Sequence, residues 1–174
     1  FRSDIGSDTI RRIAPDGTVT TVAGLPGSSG LVDGTGSVAR FNNPWNVTAD
    51  TAGNLIVADR SNAALRKIAP NGSVTTLLRI RGVLLGVAVD GAGNIFYSIS
   101  ATGCGYPTKG CSIWKFTPAG DLSILGGDYS GGAVGSADGT GSAARFWFPE
   151  GLSLDACGRL FLADSIGNTI RMGV

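Results

Sequence analysis

Acidic residues recur at fixed places in this chain, and they are the side chains best suited to chemistry. Asp33 and Asp138 each open a DGTG phrase. A carboxylate beside glycine-rich backbone can ligate Ca²⁺, but Asp before Gly is also an ordinary turn residue. No further carboxylates follow at the spacing of a calcium loop. We therefore predict structural roles for Asp33 and Asp138, with no metal site.

Two arginines repeat in step with these aspartates. Arg40 and Arg145 lie in the phrase ARF, at the same distance after Asp33 and Asp138. The simplest interpretation is an Arg–Asp pair that braces the segment. The functional alternative is that the two guanidinium groups bind an anion. We predict the structural role for all four residues.

A second set of carboxylates ends apolar stretches. Asp59 and Asp164 close LIVAD and LFLAD, and Asp4 stands at the matching place near the start of the chain. Their recurrence favours a role in capping the backbone. A ring of carboxylates around a channel is an alternative, but Ile99 occupies the matching position in the remaining copy and interrupts it.

Several function classes are disfavoured by composition. The chain has 174 residues, no His and a formal net charge of +1. Without imidazole, a His base or His-ligated metal is excluded within this chain. Scattered Lys and Arg give no footprint for nucleic acid, and no apolar run approaches a membrane span. We find no Ser–His–Asp set, phosphate loop or dinucleotide fingerprint, and predict no cofactor.

The three cysteines divide into a close pair and a single residue. Cys104 and Cys111 flank a loop rich in Gly and Pro, which suits a local disulfide and an oxidising compartment. Two free thiols are the alternative. Cys157 stands where other copies have Ala52 and Ala92, so we interpret it as a turn residue with a free thiol.

One phrase recurs along the chain at intervals of roughly 50 residues, which is typical of a propeller or another repeat architecture. Its copies are TIRRIAPDG at 9–17, ALRKIAPNG at 64–72, SIWKFTPAG at 112–120 and TIRMGV at 169–174. The phrase DGTGSVARFNNP at 33–44 likewise returns as DGTGSAARFWFP at 138–149. The repeat decides the fold before any single residue suggests a function.

Each repeat divides into four short strands joined by tight turns. Alternating and apolar runs predict the strands, and the turns PDG, PNG and PAG connect the third to the fourth. Four-stranded antiparallel units repeated radially are propeller blades. The chain 1–174 is predicted as one segment with the end of a blade at 1–24, blades at 45–79 and 85–127, and the start of a blade at 150–174.

The repeated phrases resemble those of NHL-repeat propellers, especially the bacterial, often secreted kind. The pattern is ADxxNxxIRKIxPxGxVTTLAG followed by DGTGxxARFxxPxGVxxDxxGNLxVAD, and it covers essentially the whole chain. The resemblance implies an all-β propeller, often six-bladed, among whose members are binding scaffolds, RNA-binding domains and a few lyases. The amidating lyases of this type hold zinc through His ligands, and this chain has no His.

About three blades are fewer than a propeller needs, so we expect half of a six-bladed ring. Residues 1–24 are predicted as the end of a second strand followed by strands three and four, and residues 150–174 as strands one, two and most of three. The two ends therefore look complementary. A homodimer that exchanges strands at each seam would close the ring. The remaining blades of a longer chain are the alternative.

The long loops, at 24–44, 99–112 and 126–149, are predicted on one face, where function usually resides. Positions there that differ between copies are the binding candidates: Trp45, Arg60, Tyr106, Lys109 and Glu150. We predict a non-enzymatic scaffold that binds a protein or carbohydrate partner, extracellular or periplasmic. The alternatives are a lyase or hydrolase with carboxylates at the channel mouth, and a structural subunit of a surface assembly or filament.

Overall fold

The computed structural model describes residues 1–100, 110–130 and 132–173, and their regular structure is almost entirely antiparallel β. Within these ranges the helical elements are two short 3-10 turns, Ile5–Ser7 and Gly36–Val38. No helix there has the length or apolarity that a bilayer crossing requires. The chain divides into two compact units, unit 1 at Phe1–Ile80 and unit 2 at Arg81–Val174.

Unit 1 contains two sheets. Sheet 1 comprises β1 (Arg2–Asp4), β2 (Thr9–Ile13) and β3 (Val19–Ala23), in that order. Sheet 2 comprises the short β4 (Gly34–Thr35), then β5 (Pro44–Ala49), β6 (Leu55–Asp59), β7 (Ala64–Ile68) and β8 (Ser73–Arg79). Strands β5 to β8 follow one another in space as in sequence, and β4 pairs with the outer edge of β8.

Unit 2 contains the other two sheets. Sheet 3 comprises β9 (Val83–Val89), β10 (Ile95–Ser100), β11 (Cys111–Phe116) and β12 (Leu122–Gly127), again in sequential order. Sheet 4 comprises β13 (Pro149–Leu154), β14 (Leu160–Asp164) and β15 (Thr169–Gly173). All pairs of neighbouring strands in these sheets are antiparallel, as the meander pattern of the sequence predicts.

The first hairpin of sheets 2, 3 and 4 is built by the same aspartate-centred turn. Asp50 Oδ1 accepts hydrogen bonds from the backbone N–H groups of Ala52 and Asn54, at 2.9 and 2.8 Å. Asp90 repeats this arrangement in sheet 3 and Asp155 repeats it in sheet 4. An Asp side chain that bonds its own backbone two residues on is a common turn device. These three carboxylates therefore serve the hairpins.

A connecting segment folds back onto each of two sheets through paired glycines. The Gly24 N–H, just after β3, donates to the Gly36 carbonyl at 3.1 Å, and the Gly127 N–H donates to the Gly141 carbonyl at the same distance. Gly24 has a φ of 95°, and a Cβ added to it would lie 2.6 Å from the Asp8 carbonyl oxygen. Only glycine fits there without strain.

We therefore expect Gly24→Ala to lower the free energy of unfolding by about 2–3 kcal/mol, from the left-handed backbone and the steric contact together. Gly17→Ala is the matched control, since Gly17 also has a positive φ, of 85°, but no atom lies within 4 Å of the position that an added Cβ would take. That variant should lose about 1 kcal/mol. Urea unfolding followed by circular dichroism measures both, and equal losses would contradict the steric argument.

A buried apolar cluster joins the two sheets of unit 1. Phe41, which follows the DGTG phrase, is fully buried. The cluster draws on β2, β3, β6, β7 and β8, and its buried members are Ile10, Ala23, Ala39, Phe41, Leu55, Val57, Ile68 and Val74. The connecting segment therefore inserts its aromatic ring between the sheets.

Unit 2 repeats this core between sheets 3 and 4. Phe146, from the second DGTG phrase, is 7% exposed. The buried members of its cluster are Leu85, Ala88, Cys111, Ile113, Ala144, Phe146, Leu160 and Leu162. The two copies of the phrase thus supply one core aromatic residue to each unit.

The two outer sheets each have three strands. Sheet 1 forms the second, third and fourth strands of a repeat, and sheet 4 forms the first, second and third. Both therefore contain strands two and three, with β1 paired to β2 and β14 paired to β15 along their lengths. The strands at each end are those that the repeats predict, with β1 as the end of a second strand, and the exchange of strands between two copies stays a prediction.

The predicted disulfide involves Cys104, which lies outside the described residues, so this bond stays a prediction. Cys157 is exposed and is not in a disulfide. Cys111 is buried at the start of β11.

Candidate functional site

A buried ion triad lies beside the cluster of unit 1. The Arg66 guanidinium, on β7, is fully buried. It donates to Asp59 Oδ2 at 2.9 Å and to Asp33 Oδ1 at 2.8 Å. The same group donates to the carbonyls of Arg40 and Val32, each at 2.9 Å. Phe41 covers it, with the ring centroid 5.0 Å from the guanidinium carbon.

The predicted pair between Asp33 and Arg40 is wrong. Arg40 instead turns back on its own segment and donates to the carbonyls of Ser37, Val38 and Ala39, at 2.6 to 2.9 Å. Arg145 makes the same kind of contact with the carbonyls of Ser142 and Ala144. A side chain so near in sequence is held to the local carbonyls, which leaves Asp33 to an arginine from β7.

Both carboxylates of the triad have several donors. Asp59 is buried and also accepts from the Asn42 N–H and the Asn62 amide, each at 2.8 Å. Burial raises its pKa, against the opposing effect of these donors. Asp33 is half-exposed and accepts from the Thr76 N–H and hydroxyl as well. Desolvation alone would raise the pKa of Asp33, but the contacts with Thr76 and Arg66 together outweigh it, and the pKa is lowered.

Sheet 4 repeats the triad in a more open form. Arg171 donates to Asp138 Oδ1 at 2.5 Å and lies 3.8 Å from Asp164 Oδ2. Its guanidinium also donates to the carbonyls of Arg145 and Ala137. Asp164 accepts from the Trp147 N–H, as Asp59 does from Asn42. Asp138 is 93% exposed, so the outer ion pair here is solvated.

Sheet 3 lacks the triad and has apolar and aromatic side chains in its place. Trp114 stands at the register of Arg66, and Ile99 stands at the register of Asp59. Trp114 stacks on Tyr97, with centroids 6.4 Å apart, and meets the edge of Tyr129 at 5.6 Å. Burial raises the pKa of Tyr97 to about 12. Arginine and both aspartates are thus lost together.

The carboxylates of both triads are occupied by contacts within the protein. Each triad carboxylate is engaged by an arginine or by backbone N–H groups. Among the described residues no group of three His, Cys, Asp or Glu side chains could hold a metal ion. Sequence reasoning missed Arg66 and Arg171. A signal existed, since the repeats with a strand-end Asp carry Arg at this position, as Arg11, Arg66 and Arg171, whereas the repeat with Ile99 carries Trp114.

The structure brings together two of the predicted binding residues. Arg60, in the turn after β6, lies over the Trp45 ring with its guanidinium carbon 4.2 Å from the centroid. The β5–β6 register explains this, because Pro44 pairs with Asp59. The Trp45 carbonyl accepts from the Ser3 hydroxyl at 2.8 Å, which ties this strand to sheet 1. Both side chains are at least partly exposed.

Of the other predicted binding residues, the structure describes Glu150. Glu150 lies on β13 in unit 2 and is partly exposed. Its strand is held by the Ser98 hydroxyl, which donates to the Pro149 carbonyl at 2.5 Å and accepts from the Gly86 N–H at 2.8 Å. Tyr106 and Lys109 lie outside the described residues. We therefore take the Trp45–Arg60 pair as the candidate site.

Solved structures resemble this chain, although neither a protein-family model nor a curated protein sequence matches it. A streptogramin B lyase is 11% identical with a TM-score of 0.59, over 96% of this chain and 47% of that one. A gluconolactonase from Xanthomonas campestris is 15% identical with a TM-score of 0.56, over 99% and 70%. A catalytically inactive virginiamycin B lyase from Staphylococcus aureus, with quinupristin, is 14% identical with a TM-score of 0.54, over 95% and 48%.

The chain has a β-propeller fold. Its neighbours are propeller proteins, and its sheets are the propeller's antiparallel blades, amounting to about three. The chain spans about half the length of the two lyase structures. At such low identity the likeness shows the fold and not the activity, since one propeller fold serves many functions.

Proposed function

We propose that this propeller is a non-enzymatic binding module of the NHL type, in which Trp45 and Arg60 contact a carboxylate-bearing carbohydrate. The observation that carries the proposal is the 4.2 Å stacking of a guanidinium on an indole ring. Both residues occupy positions that differ between the repeats, so the fold does not require them. An indole offers an apolar face, and guanidinium binds carboxylate through two parallel hydrogen bonds.

The state of the other carboxylates supports binding over catalysis. Asp33, Asp59 and Asp164 are engaged in the ion triads, and the hairpin aspartates are engaged with backbone N–H groups. General acid–base chemistry needs a carboxyl group free to reach a substrate. A lyase or hydrolase built on these residues would have to break the scaffold that positions it.

The proposal is tested by calorimetric titration of the protein with oligogalacturonate and, as a neutral control, with dextran oligosaccharides. We expect binding to oligogalacturonate only, weakened at least about tenfold by Trp45→Ala and by Arg60→Ala. Trp147→Ala is the matched control, because Trp147 is 41% exposed and lies in unit 2. It should bind as the parent does.

Two outcomes would contradict the proposal. Failure of every saccharide to bind would remove the carbohydrate ligand and leave a protein partner as the alternative. Binding of dextran that ignores Arg60→Ala would remove the role of the carboxylate. Circular dichroism of each variant separates lost binding from lost structure.

We further propose an extracellular or periplasmic module that completes its ring with a second copy or with further blades. The support is the apolar surface on sheet 4, where Ile170 and Met172 are 75% and 58% exposed. An uncovered sheet face of this kind favours association. Light scattering at micromolar concentration should give a dimer or larger particle, and a stable monomer would contradict the homodimer.

A further inference from the structure

An open cleft lies on sheet 1, on the opposite side of β2 from the buried Ile10. It has a volume of about 360 Å³ and is lined by residues of β1 to β3 and of the 3-10 turn after β1. Three of its apolar residues are largely exposed, namely Ile5 at 41%, Ile13 at 53% and Val19 at 48%. The cleft therefore combines apolar surface with charged groups.

The charged groups of the cleft repeat those that hold the DGTG segments elsewhere. Asp4 pairs in register with Thr9, just as Asp59 pairs with Ala64 and Asp164 with Thr169. Arg11 then occupies the register of Arg66 and Arg171. Sheet 1 thus carries the same Asp and Arg that receive a DGTG segment on sheets 2 and 4.

These groups have no partners on sheet 1 among the described residues. Arg66 holds Asp33 and two carbonyls, whereas Arg11 makes no side-chain hydrogen bond or ion pair within the described ranges, and its Nε is buried without a partner. Asp59 accepts the Asn42 N–H, whereas the Asp4 carboxylate accepts no hydrogen bond from this part of the chain.

The apolar residues of the cleft are also uncovered, whereas the matching residue of sheet 2 is buried. Ile13 is 53% exposed, whereas Ile68, in the same register, is 1% exposed. Arg2 faces Arg11 across the strands, where sheet 2 has Val57, and adds positive charge to the cleft.

We propose that this cleft binds an extended segment of the form Asp-Gly-Thr-Gly-x-x-Ala-Arg-Phe supplied by another polypeptide. Its Asp pairs with Arg11, its Phe covers the Arg11 guanidinium and Ile13, and the N–H after Phe donates to Asp4. The two DGTG segments of this chain do not fill the site themselves, because Arg66 and Arg171 hold them.

A fluorescein-labelled synthetic peptide with the sequence of residues 29–44 is the probe, and fluorescence anisotropy measures its binding to the whole chain. We expect saturable binding that Arg11→Met weakens at least about tenfold, because truncating a buried charge pair is costly. Arg12→Met is the matched control, since Arg12 is the exposed neighbour on the same strand. It should leave the affinity unchanged.

A second peptide, with Asn in place of Asp33 and Ala in place of Phe41, should bind at least about tenfold more weakly. Asp4→Asn provides a second protein variant if Arg11→Met fails to fold, and it should also weaken binding. No binding at millimolar peptide would overturn the proposal. Binding that neither Arg11→Met nor Asp4→Asn alters would overturn it too, since the peptide would then be exchanging with an internal DGTG segment.

Discussion

Replacing Arg66 by methionine is expected to lower the free energy of unfolding by about 3–5 kcal/mol, because it leaves a buried carboxylate without its counter-ion. Arg66 and Asp59 are both fully buried and joined at 2.9 Å. The change also leaves the Arg40 and Val32 carbonyls without their donor. Urea unfolding followed by circular dichroism gives the loss.

The matched control is Arg79→Met, which removes an exposed arginine from the neighbouring strand β8 and should change the free energy of unfolding by less than about 0.5 kcal/mol. Arg171→Met in sheet 4 should cost less than Arg66→Met, since Asp138 is 93% exposed and remains hydrated. Equal losses for Arg66 and Arg79 would contradict the buried triad.

The loss caused by Arg66→Met should also depend on pH. Burial raises the pKa of Asp59 above its ordinary value of 3.8, and removing Arg66 takes away a group that opposes this rise. A folded state with the higher pKa binds a proton before the unfolded chain does. Stability of the variant relative to the parent should therefore recover as the pH falls from neutral into the range where Asp59 of the folded variant takes up its proton. A constant difference across this range would contradict the mechanism.

Replacing Phe41 by alanine is the second large effect, with an expected loss of about 3–5 kcal/mol in the free energy of unfolding. The ring is fully buried among residues from both sheets of unit 1. Its removal opens a cavity and takes the aromatic cover from Arg66. Thermal and urea unfolding should both report the loss.

Val38→Ala tests the same segment at a position that is 60% exposed, and it should cost less than about 0.5 kcal/mol. Phe146→Ala is the counterpart in unit 2, where the ring is 7% exposed, and its loss should be somewhat smaller. A Phe41→Ala protein as stable as the Val38→Ala protein would show that the segment does not join the two sheets.

The blades were predictable because strand and turn signals are local. Alternating apolar residues, Asp-centred hairpins and turn glycines each involve only a few neighbouring residues. The sequence of each repeat therefore predicts its own strands. Strands β5 to β8 lie at Pro44–Arg79 and β9 to β12 at Val83–Gly127, within two residues of the predicted ranges 45–79 and 85–127, whereas the short β4, Gly34–Thr35, was not predicted. The end of a second strand before Thr9 was predictable too, because Asp4 matches the strand-end positions of Asp59 and Asp164, and it is β1, Arg2–Asp4.

The partners of the charged groups were not predictable in the same way. Asp33 and Arg40 repeat together within one short phrase, and proximity in sequence suggested a pair. The real partner of Asp33, Arg66, lies 33 residues further along the chain. The register of β7 against β6 places the Arg66 guanidinium beside Asp59. The segment before β5 folds back across the sheet and brings Asp33 to the same guanidinium.

The sequence by itself determined the repeat, the all-β class, the hairpin turns and the residues that vary between copies, because each depends on spacing along the chain. The tertiary structure decided which groups meet. It stacked Arg60 on Trp45 through the β5–β6 register, buried Arg66 between two carboxylates, and left Arg11 and Asp4 without partners among the described residues. Such contacts depend on the packing of one sheet against another, and no local pattern specifies that packing.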